Sequence, residues 1–254
     1  MTTSGGTRTS SSAWSWLCSG LRRLGQVGEG LAALLYPPEC ASCGRDLSRL
    51  RVLCPDCEAA LPSLSGPRCE VCGEDLDDPT LDLCLDCGTR DRGLDRIAAL
   101  GPYEGPWGDL VRALKFEGER AVGRYLGQRL ATAAREAFGL EGIDAITYVP
   151  MTRAERRKRG FNQAEVLARR VAVQLRLPLL RGLRKVETTV GQAGLPAARR
   201  RDNLRGAFRA IPSKSARVLL IDDICTTGST AEECAKTLRS AGFARVSVLV
   251  VARA

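Results

Sequence analysis

The chain has 254 residues and a mass of 27.4 kDa, with 44% hydrophobic and 26% charged residues. That is enough for one medium domain with a buried core plus a small module, and it argues against both wholesale disorder and a membrane-embedded fold. Histidine is absent and the net charge is +9. The first excludes Ser-His-Asp triads, Cys-His nucleophiles and His-ligated metals; the second points to nucleic acid, an anionic membrane or phosphorylated small molecules.

Residues 1–12 are mostly Ser, Thr and Gly, and Trp14, Trp16, Leu17, Leu21 and Leu24 follow. This predicts a disordered tail and an amphipathic helix over 1–30, which either packs on its own protein or lies on a membrane surface or partner. Arg22, Arg23 and Glu29 interrupt it and no small-residue cleavage pattern is present, so it does not read as a secretory signal. No apolar run reaches the ~20 residues of a spanning helix, and the expected location is the cytoplasm, with the inner-membrane periphery as the alternative. Pro37 and Pro38 break the chain before a cysteine-rich module over 31–93.

From Ile97 onward, short apolar runs alternate with helical periodicity. Strands are predicted over 97–100, 143–149, 177–183 (weakly), 218–221 and 246–251, and helices over 107–116, 120–138, 162–174 and 230–240. Alternating strands and helices with continuous apolar strands imply a parallel sheet covered on both faces, a doubly wound α/β domain over 94–254. The stretch 185–208 has no clear period and carries Gly191, Gly194 and Pro196 among many arginines, which suits a functional lid.

Eight of the eleven cysteines form four Cys-x-x-Cys pairs: Cys40/Cys43, Cys54/Cys57, Cys69/Cys72 and Cys84/Cys87. In a chain of this length without a secretory signal that pattern favours metal over disulfides. Two such knuckles complete one tetrahedral thiolate site, so eight ligands make two structural zinc sites. Pairing successive knuckles closes the shorter loops, although an interleaved pairing satisfies the same count. An iron–sulfur cluster and redox thiols are the alternatives to zinc. Cys18, Cys225 and Cys234 lie outside the array and read as small apolar residues, with reactivity at Cys225 as the exception to test.

The most informative stretch runs from Val218 to Thr230: a fully apolar strand, the acids Asp222 and Asp223, then Thr226, Thr227, Gly228, Ser229 and Thr230 leading into a helix. In an open α/β sheet, ligands bind outside the carboxyl ends of strands. Backbone N–H groups, hydroxyls and a helix N-terminus there suit one phosphate. Paired acids ahead of an anion site suit a ligand that also carries hydroxyls, a sugar phosphate, or Mg²⁺ held by oxygen ligands. A phospho-acceptor receiver domain also pairs acids at a strand end, but it does so on its first strand, and it leaves the Thr/Ser run unexplained.

This stretch resembles the phosphoribosyl-diphosphate signature of type I phosphoribosyltransferases, and the chain from about residue 31 onward resembles the ComF family. The likeness extends to Tyr103, Lys115-Phe116, Val149-Pro150, Arg159-Gly160-Phe161-Asn162-Gln163, Gln192, Arg200, Asn203 and Phe208. It implies a type I phosphoribosyltransferase-like parallel sheet flanked by helices, behind a double zinc ribbon. It further implies a ligand, 5-phosphoribosyl 1-diphosphate (PRPP) with Mg²⁺ or a nucleotide, and transfer of the phosphoribosyl group to or from a nitrogen base. Asp222, Asp223, Arg159 and Lys185 are the expected catalytic residues. Arg153, Arg156 and Arg200 would join Asp222, Asp223 and Thr226 to Thr230 in holding the ligand. The family's link to DNA uptake implies an alternative, a non-catalytic protein binding single-stranded DNA or DNA-uptake partners. With three Trp, four Tyr and five Phe residues, few of them beside the arginines, a base-stacking groove is poorly supported.

Overall fold

Val218, Leu219, Leu220 and Ile221 are all buried, and a strand apolar on both faces requires cover on both. The computed structural model describes residues 38–47, 51–116, 120–186, 204, 206–213 and 216–254. The helix expected within 1–30, Cys18, and most of the predicted lid with Gln192, Arg200 and Asn203 lie outside the described residues. The cysteine module contains two short helices, α1 (Pro55–Ala59) and α2 (Leu85–Thr89). There follow β1 (Arg96–Pro102), α3 (Gly105–Phe116), α4 (Arg120–Phe138), β2 (Ala145–Tyr148), α5 (Arg153–Arg159) and α6 (Gln163–Leu175). The chain then forms β3 (Leu183–Lys185), β4 (Phe208–Ala210), β5 (Arg217–Cys225), α7 (Ser229–Ser240) and β6 (Arg245–Arg253). None of the described helices is long and apolar enough to cross a membrane.

Strands β1, β6, β5 and β2 form one parallel sheet in that order, and β3 pairs antiparallel with β4 in a separate ribbon. Leu219 and Ile221 of β5 pack with Leu249 and Val251 of β6 and with the buried faces of α3, α4 and α6. Val218 and Leu220 pack instead with Val246 and Val248, with α7, and with Phe208 of the small ribbon. The expected parallel sheet between helical layers is therefore the fold observed.

Three elements differ from their predicted form. Strand β5 continues past Ile221 through both acids to Cys225, because β6 keeps pairing with it as far as Cys225↔Arg253. The segment after β2, where neither strand nor helix is predicted, is the helix α5: Thr152 and Glu155 form a reciprocal capping box and Gly160 ends the helix at φ 83. None of its residues is buried, so it carries no apolar period to detect. The weak strand over 177–183 is reduced to one bridge, Ile146↔Leu179, next to Pro178, which has no N–H to give a ladder.

The cysteine module is part of this core. Cys40, Cys43, Cys54 and Cys57 gather in one cluster and Cys69, Cys72, Cys84 and Cys87 in another, with all sulfurs of a cluster within 4.8 Å. The pairing is thus of successive knuckles. Cys43 and Cys54 Sγ lie 3.8 Å apart, and Cys72 and Cys84 Sγ 3.7 Å. These spacings match the about 3.8 Å edge of a tetrahedron with ~2.3 Å Zn–S bonds. The donor sets therefore fit zinc.

The two clusters sit on opposite faces of the sheet. The first packs with Trp107 and Leu110 of α3, and Ser42 Oγ donates to Asp109 at 2.7 Å. The second packs with Ile97 of β1 and with α7. The Cys69–Cys72 knuckle of the second cluster lies along the edge of β1, where Ile97 N–H donates to Val71 O at 2.7 Å and blunts an edge otherwise open to pairing. Trp107 lies over Gly101 and its Nε1–H reaches Pro62 O at 2.9 Å; a Cβ on Gly101 would overlap the indole.

A buried carboxylate, Glu232 of α7, fastens the second ribbon. Arg90 Nη1 and Nη2, Arg92 Nε (3.2 Å) and Lys236 Nζ (2.8 Å) converge on it. Burial would raise its pKa, and Arg90 and Lys236 overcome this and hold it at about 2.

Two outcomes follow. Purified protein should hold two zinc ions per chain by elemental analysis, and a value near one, or iron, would overturn the assignment. Glu232→Gln leaves Arg92 buried without its counter-charge, and should cost about 3–5 kcal/mol in denaturant unfolding while zinc content stays at two. Since the folded pKa lies below the unfolded ~4.3, this contribution is present above pH ~4.3 and lost as pH falls toward 2. The variant should therefore lose acid dependence across that window, and an unchanged acid profile would count against the network.

Candidate functional site

At the carboxyl end of β5 the apolar sequence gives way to Asp222 and Asp223, where pairing with β2 has ended at Ile221 and pairing with β6 continues. Asp223 N–H donates to Asp222 Oδ1 at 2.9 Å, and Ile224 N–H to Asp223 Oδ1 at 2.9 Å. Burial, and next the charge of Asp223, hold the Asp222 carboxyl well above the usual carboxylate range. Lys115, in the last turn of α3, places Nζ 3.1 Å from Asp223 Oδ2. Lys115 was not among the expected site residues, although Lys115-Phe116 belongs to the family resemblance.

Beyond Cys225 the chain turns through Thr226, Thr227 and Gly228 into α7. Gly228 is left-handed, with φ 74, and a Cβ there would come 2.8 Å from Arg92 Nη2. Thr227 Oγ1 and Ser229 Oγ lie 2.8 Å apart. Arg92, 3% exposed, donates from Nη2 to Thr227 O at 3.0 Å, so the turn is pinned to the second ribbon with its carbonyl held away from the helix start. Thr226 to Thr230 and Asp222 line a pocket of about 110 Å³, room for a small oxyanion on a helix N-terminus. Cys225 is buried, and burial pushes its thiol up, as expected of a packing residue.

On the β2 side lies a cleft of about 700 Å³ where Asp222 and Asp223 face Pro150, Met151, Lys158, Arg159 and Lys185. Asn162 anchors its wall: Nδ2 donates to Val149 O at 3.0 Å, and Oδ1 caps α6 by accepting from Glu165 N–H. Arg159 reaches Gln163 Oε1 at 3.4 Å, and Gln163 Nε2 is buried without a partner among the described residues. Lys185 Nζ lies 2.7 Å from Glu155 Oε1, which ties the small ribbon to α5.

The structure brings Asp222, Asp223, Arg159 and Lys185 to one cleft and Thr226 to Thr230 to the adjoining pocket. It puts the other arginines elsewhere. Arg156 pairs with the buried Glu165 at 3.3 Å and lines a neighbouring groove with Arg124, Arg169 and Arg170. Arg153 is exposed in the first turn of α5, and Arg200 lies outside the described residues.

Residues 31–88 match the double zinc ribbon domain family. Among solved structures, glutamine PRPP amidotransferase from B. subtilis overlaps at TM-score 0.36 and 25% identity, covering 50% of this chain and 25% of that one. Orotate phosphoribosyltransferase from Aeropyrum pernix overlaps at TM-score 0.34 and 22% identity, covering 53% and 61%. The DNA utilization protein YhgH of Escherichia coli is 28% identical over 243 residues, 94% of this chain and 96% of that protein. Competence protein F of Haemophilus influenzae is 34% identical over 210 residues, 80% of this chain and 90% of its own length. With that identity across the zinc module and the sheet alike, the chain belongs to the competence protein F family.

Proposed function

We propose that the chain binds 5-phosphoribosyl 1-diphosphate and transfers its phosphoribosyl group to a nitrogen base, or runs the reverse reaction. The observation that carries this reading is the juxtaposition of Asp222 and Asp223 with the Thr226–Thr230 turn at one strand end, opening on a cleft lined by Lys115, Lys158, Arg159 and Lys185. In this reading the turn and the α7 N-terminus take the 5-phosphate, and the two acids accept the ribose 2′- and 3′-hydroxyls. The cations take the diphosphate, with Arg153 and Arg200 as further candidates and Arg156 reaching it only on leaving Glu165.

Asp222 and Asp223 are also the residues that would hold Mg²⁺, which supplies charge neutralisation to a diphosphate. Lys115 then exchanges its ion pair with Asp223 for the ligand. The C1–O bond breaks with its electron pair leaving on diphosphate, and a base nitrogen forms the new C1–N bond and gives up its proton. Charge develops on the departing diphosphate, so fixed cations in a cleft that excludes water are the main catalytic device. No histidine is needed.

A second reading rests on a different groove. Arg124, Arg156, Arg169 and Arg170 surround about 580 Å³ beside Phe161 and Val166, and relatives bear the name DNA utilization protein. Single-stranded DNA would lie there by phosphate contacts. Charge reversal of Arg124 and Arg170 should then weaken single-stranded DNA at least tenfold at low salt, where such contacts dominate, and leave ribose 5-phosphate binding intact; unaltered DNA affinity would remove this reading.

The main reading predicts that PRPP with Mg²⁺ raises the melting temperature, by stabilisation of about 2.7 kcal/mol at a hundredfold excess over Kd. Asp222→Asn with Asp223→Asn should abolish the shift with the fold and zinc content unchanged, and Thr227→Val should weaken it separately. A wild-type protein with no shift at millimolar ligand would defeat the proposal.

A further inference from the structure

The phosphate turn is flanked by a second cleft on its other side, and nothing above uses it. It measures about 930 Å³ and lies between the second zinc ribbon and the carboxyl ends of β6 and β1. Thr226 and Thr227 belong to its wall, with Tyr103 and Glu104 from the end of β1, Arg253 from β6, and Arg68 and Asp75 from the ribbon. The sheet order β1-β6-β5-β2 places the two clefts on opposite sides of β5: cations and the α5 wall toward β2, the ribbon wall toward β6.

We infer that this ribbon-walled cleft is the acceptor site, and that it takes a planar nitrogen base bearing an amino group. The inference rests on the phosphoribosyl reading and deepens it. With the diphosphate on the cationic β2 side, displacement at C1 needs the incoming nitrogen on the opposite face, which is the β6 side. Its lone pair forms the C1–N bond as the C1–O pair leaves on diphosphate, and the base N–H proton passes to solvent.

The chemistry of the wall sets the class of base. Its guanidinium groups are already engaged, except for Arg68 Nε, which is buried without a partner among the described residues. Arg92 serves Glu232 and Thr227 O; Arg253 donates to Cys72 O at 2.5 Å; Arg68 pairs with Asp75 at 2.6 Å and donates to Gly73 O. The carboxylates are in excess. Glu74 and Glu104 are exposed, and the Glu104 side chain has no partner among the described residues. Asp75 is 76% exposed despite its ion pair. With exposed carboxylates free to accept and its one unpartnered guanidinium N–H buried, the wall favours a ligand edge that donates, and an exocyclic amino group offers two N–H donors where an oxo group offers none. Tyr103, with Arg112 6.0 Å from its ring centre, supplies an aromatic surface for a flat ring.

The test pairs an amino edge with an oxo edge on the same ring, AMP against IMP and CMP against UMP, with ribose 5-phosphate as the base-free reference. Zinc-loaded full-length protein is titrated with ribose 5-phosphate, AMP, IMP, CMP and UMP in Mg²⁺. AMP and CMP should bind at least tenfold more tightly than IMP, UMP and ribose 5-phosphate. Asp75→Asn with Glu104→Gln should remove the preference for the amino bases while ribose 5-phosphate affinity stays within twofold, and Tyr103→Leu should weaken every nucleotide but not ribose 5-phosphate. If ribose 5-phosphate binds but no nucleotide binds more tightly, or the oxo bases are preferred, the acceptor assignment is overturned and the phosphate-turn reading survives. If ribose 5-phosphate itself fails to bind, both fall together.

Discussion

Strand β5 is hydrogen-bonded along both edges and apolar on both faces, and this constraint orders everything around it. A strand so enclosed can present polar groups to ligand only at its ends. Asp222 and Asp223 stand where enclosure is about to cease, still paired to β6 yet open to the cleft. Burial first, and then the neighbouring Asp223 carboxylate, hold the pKa of Asp222 well above the usual range, and Lys115 offsets part of this. The same strand end delivers the chain into Gly228 and the start of α7, so the acids and the anion pocket are consecutive consequences of one buried strand.

The zinc module shares the core of the sheet domain. A ribbon too small to bury much apolar surface is held by its ions, and each ribbon adds its buried cysteines to a different face of the sheet. The second ribbon thereby covers the outer edge of β1 and, through Arg92, pins the turn at Thr227. One arginine contacts the zinc-ribbon sulfur Cys87, the helix carboxylate Glu232 and the carbonyl of Thr227. Loosening of the second ribbon is therefore felt directly at the turn.

The excess positive charge divides by location. Lys115, Arg159 and Lys185 look onto the acids, whereas Arg156, Arg169 and Arg181 surround Glu165. Charge along the sequence does not distinguish these groups: Arg156 and Arg159 are three residues apart on one short helix and serve different grooves. Positions three apart share one face of a helix, so it is the partner each side chain finds, Glu165 for Arg156 and Gln163 for Arg159, that separates them.

Much of this was legible in the residues themselves. Period and apolar runs located β5, β6, α4 and α6 to within a few residues, the four knuckles specified two tetrathiolate sites, and the Asp-Asp…Thr-Thr-Gly-Ser-Thr run marked the passage from the end of β5 into α7, because each of these signals is local and is set by backbone period or ligand count. Helix α5 escaped because a fully exposed helix has no apolar stripe, although its capping box, Thr152 and Glu155, was readable. Successive pairing of the knuckles, the ion pair of Lys115 with Asp223, the pinning of Thr227 by Arg92 and the ribbon-walled cleft join residues tens to more than a hundred positions apart. Only the packed chain could decide them, since the energy of such contacts depends on which surfaces the sheet order brings together and not on any pattern within a single segment.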